Sequence, residues 1–268
     1  MKGLVAVVAA CAVAAAAAVI VASGHAQREA GLRVFRVTLA GETERPQGDP
    51  VATGSAVINV RPTRRSVCYR LTARDLPSRA LAAHIHRARA GRAGAVVLAL
   101  RTPNAAGTSR GCAKPSRRLV RSIAARPRSF YVNVHTRKFP GGAIRGQLLG
   151  ARPSLGTILH LTLRGTTEPN ATGSAVLRFR TDAQLVCYRL TVRNVTLPTV
   201  GAHIHRGAAG SNGPVIVTFE APGTGGTSSG CVETPTTTID EILANPAGFY
   251  VNVHTRQHPA GALRAQLG

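Results

Sequence analysis

Short runs in which apolar and polar residues alternate fill most of the chain after residue 31. In the first half these runs cover residues 32–39, 54–60, 67–73, 82–86, 95–100, 130–135 and 143–149. They are rich in Val, Leu, Ile and Thr, and Gly, Pro, Asn and Asp separate them, which is typical of strands joined by turns. Seven such runs in about 120 residues predict a sandwich or barrel of antiparallel strands.

One segment in each half breaks this alternation. Residues 237–245 place apolar side chains at helical spacing, with Asp240 and Glu241 early in the run and Asn-Pro at its end. Residues 119–126, which Pro127 closes, are the counterpart in the first half. Because acidic residues favour the start of a helix and proline ends one, each half is predicted to contain one short helix.

Four segments of the first half recur in the second half at a constant offset. Cys187 follows Cys68 by 119 positions, and His254 follows His135 by the same number. The recurring segments are residues 52–57, 67–72, 83–87 and 130–137, matched by 171–176, 186–191, 202–206 and 249–256. A repeat this long is a whole domain, because solenoid units are about 20 to 50 residues long. The sequence therefore predicts an all-β protein of two tandem antiparallel β-sandwich domains, residues 27–150 and 156–268, joined by a linker at 151–155.

The first 26 residues have the pattern of an export signal. Lys2 supplies a positive start, residues 4–22 are almost entirely apolar, and Gly24-His-Ala26 provides small residues at a cleavage site. This pattern predicts a cleaved signal peptide over residues 1–26 and a secreted or extracytoplasmic protein. The alternative is an uncleaved membrane anchor, since an apolar stretch of about 20 residues is long enough to span a bilayer.

Four cysteines remain after removal of the signal peptide: Cys68, Cys112, Cys187 and Cys231. An even number of cysteines in an exported chain favours disulfides over free thiols. The duplication favours one bond within each domain, Cys68 to Cys112 and Cys187 to Cys231.

The net charge of +23 is concentrated in the first domain. Residues 27–155 contain 25 Lys and Arg against 5 Asp and Glu, whereas residues 156–268 contain 8 against 6. Such a field attracts anionic cell-envelope polymers or membrane surfaces at low salt. A dedicated nucleic-acid reader is not expected, because the chain has no Trp and few Phe or Tyr on which bases could stack. The alternative is that GC-rich coding DNA alone explains the abundance of arginine.

Six histidines lie on strands whose geometry brings them together. His84 and His86 project to one face of their strand, and His135 shares a face with Tyr131 and Asn133. If the two strands are neighbours, three imidazoles converge and could bind zinc or copper, with a fourth position open. The second copy of this set is His203, His205 and His254. In the alternative interpretation the histidines only hydrogen-bond one another, backbone carbonyls or the Asn133 and Asn252 side chains.

An enzyme is not expected from these residues. Acidic residues are too few to supply paired carboxylates in both copies, and no serine or threonine near a histidine has a recognisable third partner. We therefore expect a non-enzymatic binding or structural protein, secreted or associated with the cell envelope, that adheres through its basic first domain. The alternative function is zinc or copper binding at the histidines.

Taken in order, these residues resemble the CHRD domain family, which is named from chordin and is widespread in bacterial secreted proteins. The resemblance covers residues 32–149 and 155–267 and is clearest in the second copy. The first copy lacks the Asn-Gly-Pro turn after its histidine pair, and Ala143 replaces the usual acidic residue before the final strand. The resemblance implies an extracellular module without naming its ligand. A His-x-His strand within a β-sandwich also binds metal in copper/zinc superoxide dismutases, which is an analogy of architecture only.

Overall fold

Residues 31–268 are described by the structure, a computed structural model. The predicted signal peptide lies outside the described residues. The described part contains two copies of one arrangement, here called repeat 1 and repeat 2. Repeat 1 contains strands β1 (Arg33–Ala40), β2 (Thr53–Arg61), β3 (Ser66–Arg74), β4 (Ala80–Arg87), β5 (Ala95–Leu100), β6 (Thr108–Ala113), β7 (Phe130–Thr136) and β8 (Ile144–Gln147), with helix α1 (Arg117–Ala125).

Repeat 2 has the same elements in the same order. Its strands are β9 (Thr157–Gly165), β10 (Thr172–Arg180), β11 (Leu185–Arg193), β12 (Gly201–Arg206), β13 (Val215–Phe219), β14 (Thr227–Glu233), β15 (Phe249–His254) and β16 (Leu263–Gln266), with helix α2 (Thr236–Ala244).

Each repeat is an antiparallel β-sandwich, as the alternation predicted. The strands of repeat 1 follow the order β5-β4-β7-β8-β1-β2-β3-β6, and those of repeat 2 follow the equivalent order. Strands β8 and β1 are joined through a single residue pair, Ala40 with Arg145. The chain therefore forms two four-stranded layers that meet at this corner, β5-β4-β7-β8 and β1-β2-β3-β6.

The space between the two layers is filled by alternate residues of the strands. Ile58, Ile85 and Val132 of repeat 1 are completely buried, and α1 adds Val120 and Ile123 to the same core. In repeat 2, Ile239 and Ile242 of α2 fill the equivalent place. Burying one such side chain contributes about 1.5 to 3 kcal/mol, so the core accounts for the layered packing.

One strand of each repeat was absent from the sequence prediction. Strand β6 has the sequence Thr-Ser-Arg-Gly-Cys-Ala, without a large apolar side chain, and lies at an edge of the sheet. Because half-buried strands are recognised by alternating large apolar residues, an edge strand of this composition escapes that pattern. Its position beside β3 nevertheless brings Cys112 opposite Cys68.

The connection between the first two strands, β1 and β2 in repeat 1 and β9 and β10 in repeat 2, distinguishes the two repeats. Phe35 pairs with Ile58, 23 positions later, whereas the equivalent Leu159 pairs with Leu177, 18 positions later. The connection in repeat 1, residues 41–52, is therefore five residues longer than that of repeat 2. It is here called the acidic loop, because it contains Glu42, Glu44 and Asp49.

The acidic loop of repeat 1 lies against the outer face of β10 and β11 in repeat 2. Arg178, whose side chain is 0% exposed, donates two hydrogen bonds to the Glu42 carboxylate, at 2.9 and 3.2 Å. Arg180 contacts Oε1 of the same carboxylate at 2.8 Å. Arg189 contacts the buried carboxylate of Asp49 at 3.0 Å and also donates to the main-chain carbonyl of Asp75. Two carboxylates of the basic repeat thus pair with three arginines of the other repeat, and Arg180 also pairs with Asp182 of its own repeat.

Candidate metal centre

The structure brings the three predicted histidines of each repeat together on the outer face of a sandwich layer. In repeat 1, β4 pairs with β7 so that His84 lies opposite Asn133 and His86 lies opposite Tyr131. His135 is opposite Ala82, one diagonal step from His84. The apolar neighbours between them point into the core, as strand alternation requires. His203, His205 and His254 occupy the same positions on β12 and β15 of repeat 2.

The three imidazoles of each centre are close enough to share one ion after a small adjustment. In both sets, one nitrogen from each ring lies within 4.8 Å of the nitrogens of the other two. Nitrogens that bind one zinc ion tetrahedrally at about 2.1 Å lie about 3.4 Å apart. The rings therefore need to close by up to about 1.4 Å, through rotation of their side chains.

Backbone carbonyls fix which nitrogen of each ring is available. His86 Nδ1 lies 2.8 Å from the Gly94 carbonyl oxygen, and His135 Nδ1 lies 2.9 Å from that of Pro140. Since a carbonyl oxygen only accepts hydrogen bonds, each Nδ1 carries the proton and each Nε2 is left with its lone pair. His205 and His254 bond in the same way to Gly213 and Pro259, both at 2.9 Å. Metal-binding histidines are usually held by this second hydrogen bond.

Three ring nitrogens of repeat 2, one from each histidine, are buried and lack a hydrogen-bond partner among the described residues. They are His203 Nδ1, His205 Nε2 and His254 Nε2. A buried polar atom without a partner costs about 1 to 3 kcal/mol, so three such atoms facing one another call for a ligand. In repeat 1, His86 Nε2 is also without a partner, whereas His84 Nδ1 bonds His135 Nε2 at 3.0 Å.

The surroundings of His84, His135, His203 and His254 favour the neutral form of these four rings. Burial, together with the neighbouring His254 and His205, lowers the pKa of His203 to about 4. Burial likewise lowers the pKa of His84, His135 and His254, although hydrogen bonds to Pro140 and Pro259 oppose the shift in the last two. A neutral imidazole is the form that coordinates a metal, so these pKa shifts favour metal binding at neutral pH.

A layer of polar residues that the sequence analysis did not single out supports each centre. In repeat 1, the Tyr131 ring stacks on His86 at 4.8 Å between ring centroids, and the guanidinium of Arg145 lies 3.4 Å from the Tyr131 ring centroid. Arg145 and Gln147 donate to carbonyls of residues 88–92, which holds the β4–β5 connection over the site. Tyr250, Arg264 and Gln266 do the same in repeat 2. Their recurrence in both copies is the sequence signal that could have found them.

The alternative interpretation, in which the histidines only hydrogen-bond, describes part of what is observed. Four ring nitrogens bond backbone carbonyls, and one pair of rings bonds directly. No hydrogen bond within residues 31–268 joins Asn133 or Asn252 to these histidines, and Asn252 donates to the Ala260 carbonyl. The carbonyl bonds occupy one nitrogen of each of four rings and orient those rings. The facing nitrogens then remain without a partner among the described residues in repeat 2, whereas two of those in repeat 1 bond each other.

Each repeat contains the disulfide that the duplication favoured. Cys68 bonds Cys112 across β3 and β6, and Cys187 bonds Cys231 across β11 and β14, each over 44 positions of sequence. Two disulfides fit a protein that functions outside the cytosol. In the part of the chain that the structure describes, none of the helices is both long enough and apolar enough to cross a membrane.

The comparison with known families agrees with the duplicated architecture. The CHRD domain model matches residues 35–148 and matches again over residues 160–267. The two matches together cover most of the chain, and each includes one histidine centre and one disulfide. A search of the curated proteins returned no match to this chain.

Proposed function

Because this chain belongs to the CHRD domain family, in two tandem copies, we propose that it is an extracytoplasmic, non-enzymatic protein that binds two metal ions, copper or zinc. One observation carries the proposal. In both repeats three imidazoles converge, and backbone carbonyls hold Nδ1 of two of them so that their Nε2 atoms face the third ring.

The donor set favours a borderline metal. Three imidazole nitrogens suit zinc or copper, whereas calcium and magnesium prefer oxygen ligands. Neither group includes an Asp or Glu among the described residues. Without an adjacent carboxylate as a general base, retention of the ion is better supported than hydrolysis. His84 and His203 are only partly buried, so the fourth position opens toward solvent.

Elemental analysis of the exported chain, purified without chelator, tests the proposal. We expect two ions per chain, one ion after H203A together with H205A, one after H84A together with H86A, and none when all four are changed. H160A is the matched control, because His160 is exposed and lies outside both centres. Protein that contains no stoichiometric metal and takes up neither Cu²⁺ nor Zn²⁺ would contradict the proposal.

A second proposal concerns the charge asymmetry and is independent of the metal. We propose that repeat 1 adheres to anionic polymers of the cell envelope or to a membrane surface. Most arginines of repeat 1 are exposed, whereas Arg178, Arg180 and Arg189 of repeat 2 contact carboxylates of the acidic loop. Retention on anionic vesicles should fall steeply between 50 mM and 500 mM salt, because exposed charges are screened within about 10 Å at 0.1 M. Retention that does not change with salt would contradict it.

A further inference from the structure

The two repeats share the strands of this outer face, and among residues 31–268 the acidic loop covers the face of repeat 2. There Arg178 donates hydrogen bonds to the Glu42 carboxylate and to the carbonyl oxygens of Pro50, Ser154 and Leu155. Arg189 donates to the Asp49 carboxylate and the Asp75 carbonyl. The face therefore binds polypeptide, through acidic side chains and main-chain carbonyls together.

The equivalent positions of repeat 1 border an open groove that runs along the edge strand β6 and the end of β5. Asn59 and Arg70 stand where repeat 2 has Arg178 and Arg189. The groove beside them has a volume of about 760 Å³, and a second groove of about 750 Å³ continues it along β6. Three exposed arginines line both grooves: Arg70, Arg101 and Arg110.

None of the described residues that line these grooves is acidic, so no carboxylate there offsets the positive charge of the three arginines. In repeat 2 the positions of Arg101 and Arg110 are occupied by Glu220 and Ser229, and Ser229 accepts a hydrogen bond from Lys138. Arg70 and Arg110 lie directly opposite each other on β3 and β6. Like charges at opposed positions of a sheet are destabilising, and an anion placed between them removes that cost.

We propose that this groove, here called the arginine groove, binds an acidic segment of a partner polypeptide. The contact of the acidic loop with repeat 2 indicates which groups such a segment needs. Carboxylates bind the guanidinium groups, and main-chain carbonyls accept hydrogen bonds from their remaining N–H donors. The chain's own acidic loop is already engaged with repeat 2, so the segment comes from another protein. The proposal depends neither on the metal centres nor on adhesion through dispersed charge.

Binding of a synthetic peptide with the sequence of residues 41–52 to the full exported chain tests the proposal. The control peptide has its two Glu and one Asp replaced by Gln and Asn. R70Q together with R110Q should weaken binding of the acidic peptide at least about tenfold, since two charge-assisted contacts are lost. R126Q together with R128Q removes the same charge from exposed positions outside the groove and should weaken it less than about twofold.

R101Q alone is a second test, because it leaves the strand pairing of β3 and β6 unchanged. Equal weakening by the groove pair and the control pair would overturn the proposal, and so would equal binding of the two peptides. Polyphosphate is the third probe. If polyphosphate binding depends on Arg70 and Arg110 while the peptide fails to bind, the groove is a site for an anionic polymer and the proposal is wrong.

Discussion

Repeat 1 and repeat 2 differ least around their histidines and most where they meet each other. Both retain the three imidazoles, the carbonyl bonds that orient them, and the tyrosine, arginine and glutamine beneath the covering loop. They differ in the acidic loop, in the charge of the outer face, and in the surroundings of one glutamate that both contain, Glu44 in repeat 1 and Glu168 in repeat 2. The comparison indicates that the centre is the common feature of the two repeats, while their surfaces have become specialised.

Removing each disulfide in turn tests whether the stability of the two repeats depends equally on these bonds. Each bond closes the same 44-position separation, so replacing Cys187 or Cys68 by Ser should cost a similar amount. The chain-entropy model predicts about 4 kcal/mol for a loop of this length. Urea unfolding of the two single variants, compared with the parent protein, measures the cost. A cost confined to one repeat would show that the bridges are not equivalent.

Replacing Arg178 tests whether the two repeats unfold in one cooperative transition. It is completely buried among Glu42 and three carbonyls, so Arg178→Met leaves these acceptors without their donor. Because Glu42 retains Arg180, we expect a loss of about 3 kcal/mol, at the lower end for a broken buried ion pair. Unfolding should then separate into two transitions in calorimetry.

The matched control for Arg178 is Asn59→Ala, at the equivalent position of repeat 1. Asn59 borders the open arginine groove and has no acidic loop against it, so this change should leave a single transition. Two transitions in both variants, or in neither, would contradict the role assigned to the ion pairs of Arg178.

Glu44 and Glu168 occupy the same place after their first strands but have different surroundings. Glu168 accepts hydrogen bonds from the Thr196 amide and the Thr255 hydroxyl, at 3.0 and 3.3 Å. Glu44 is 2% exposed, and its Oε1 has no hydrogen-bond partner among the described residues. Burial raises the pKa of Glu44 from 4.5 to about 7, although the charge of Arg145 opposes this.

This difference predicts opposite effects of the same substitution. With its pKa raised, Glu44 keeps its proton in the folded state between pH 4.5 and 7, so its contribution to stability falls as pH rises through that window. Glu44→Gln should remove this slope and stabilise the protein above pH 7 by at most about 3 kcal/mol. Glu168→Gln should destabilise it by about 1.5 kcal/mol, because a charged acceptor is lost. Urea unfolding at pH 5 and pH 8 measures both, and a change in stability between these pH values that is the same in Glu44→Gln as in the parent protein would contradict the assignment.

Strand alternation was sufficient to predict the sandwich and the common face of the histidines. The pattern is local, since His84 and His86 are separated by one residue whose side chain enters the core. The contact between the repeats was not predictable in this way. Arg178 and Arg189 resemble any surface arginine on a strand, and their partners Glu42 and Asp49 lie 136 and 140 positions earlier in the sequence. The longer connection that carries those partners was also missed, because the repeat was defined from segments that begin after it.

The two helices provide the smallest contrast between the repeats. Helix α1 begins after Ser116, whose hydroxyl oxygen accepts a hydrogen bond from the Leu119 amide at 3.2 Å, whereas α2 begins after Pro235 without a side-chain cap. Ser116→Ala should therefore cost about 1 kcal/mol, because one amide of the first turn loses its partner. Pro235→Ser should leave α2 equally or more stable, since it supplies a hydroxyl where none exists. Thermal unfolding of the two variants measures both changes, and a loss from Pro235→Ser as large as that from Ser116→Ala would show that the rigid proline, not the missing cap, sets the start of α2.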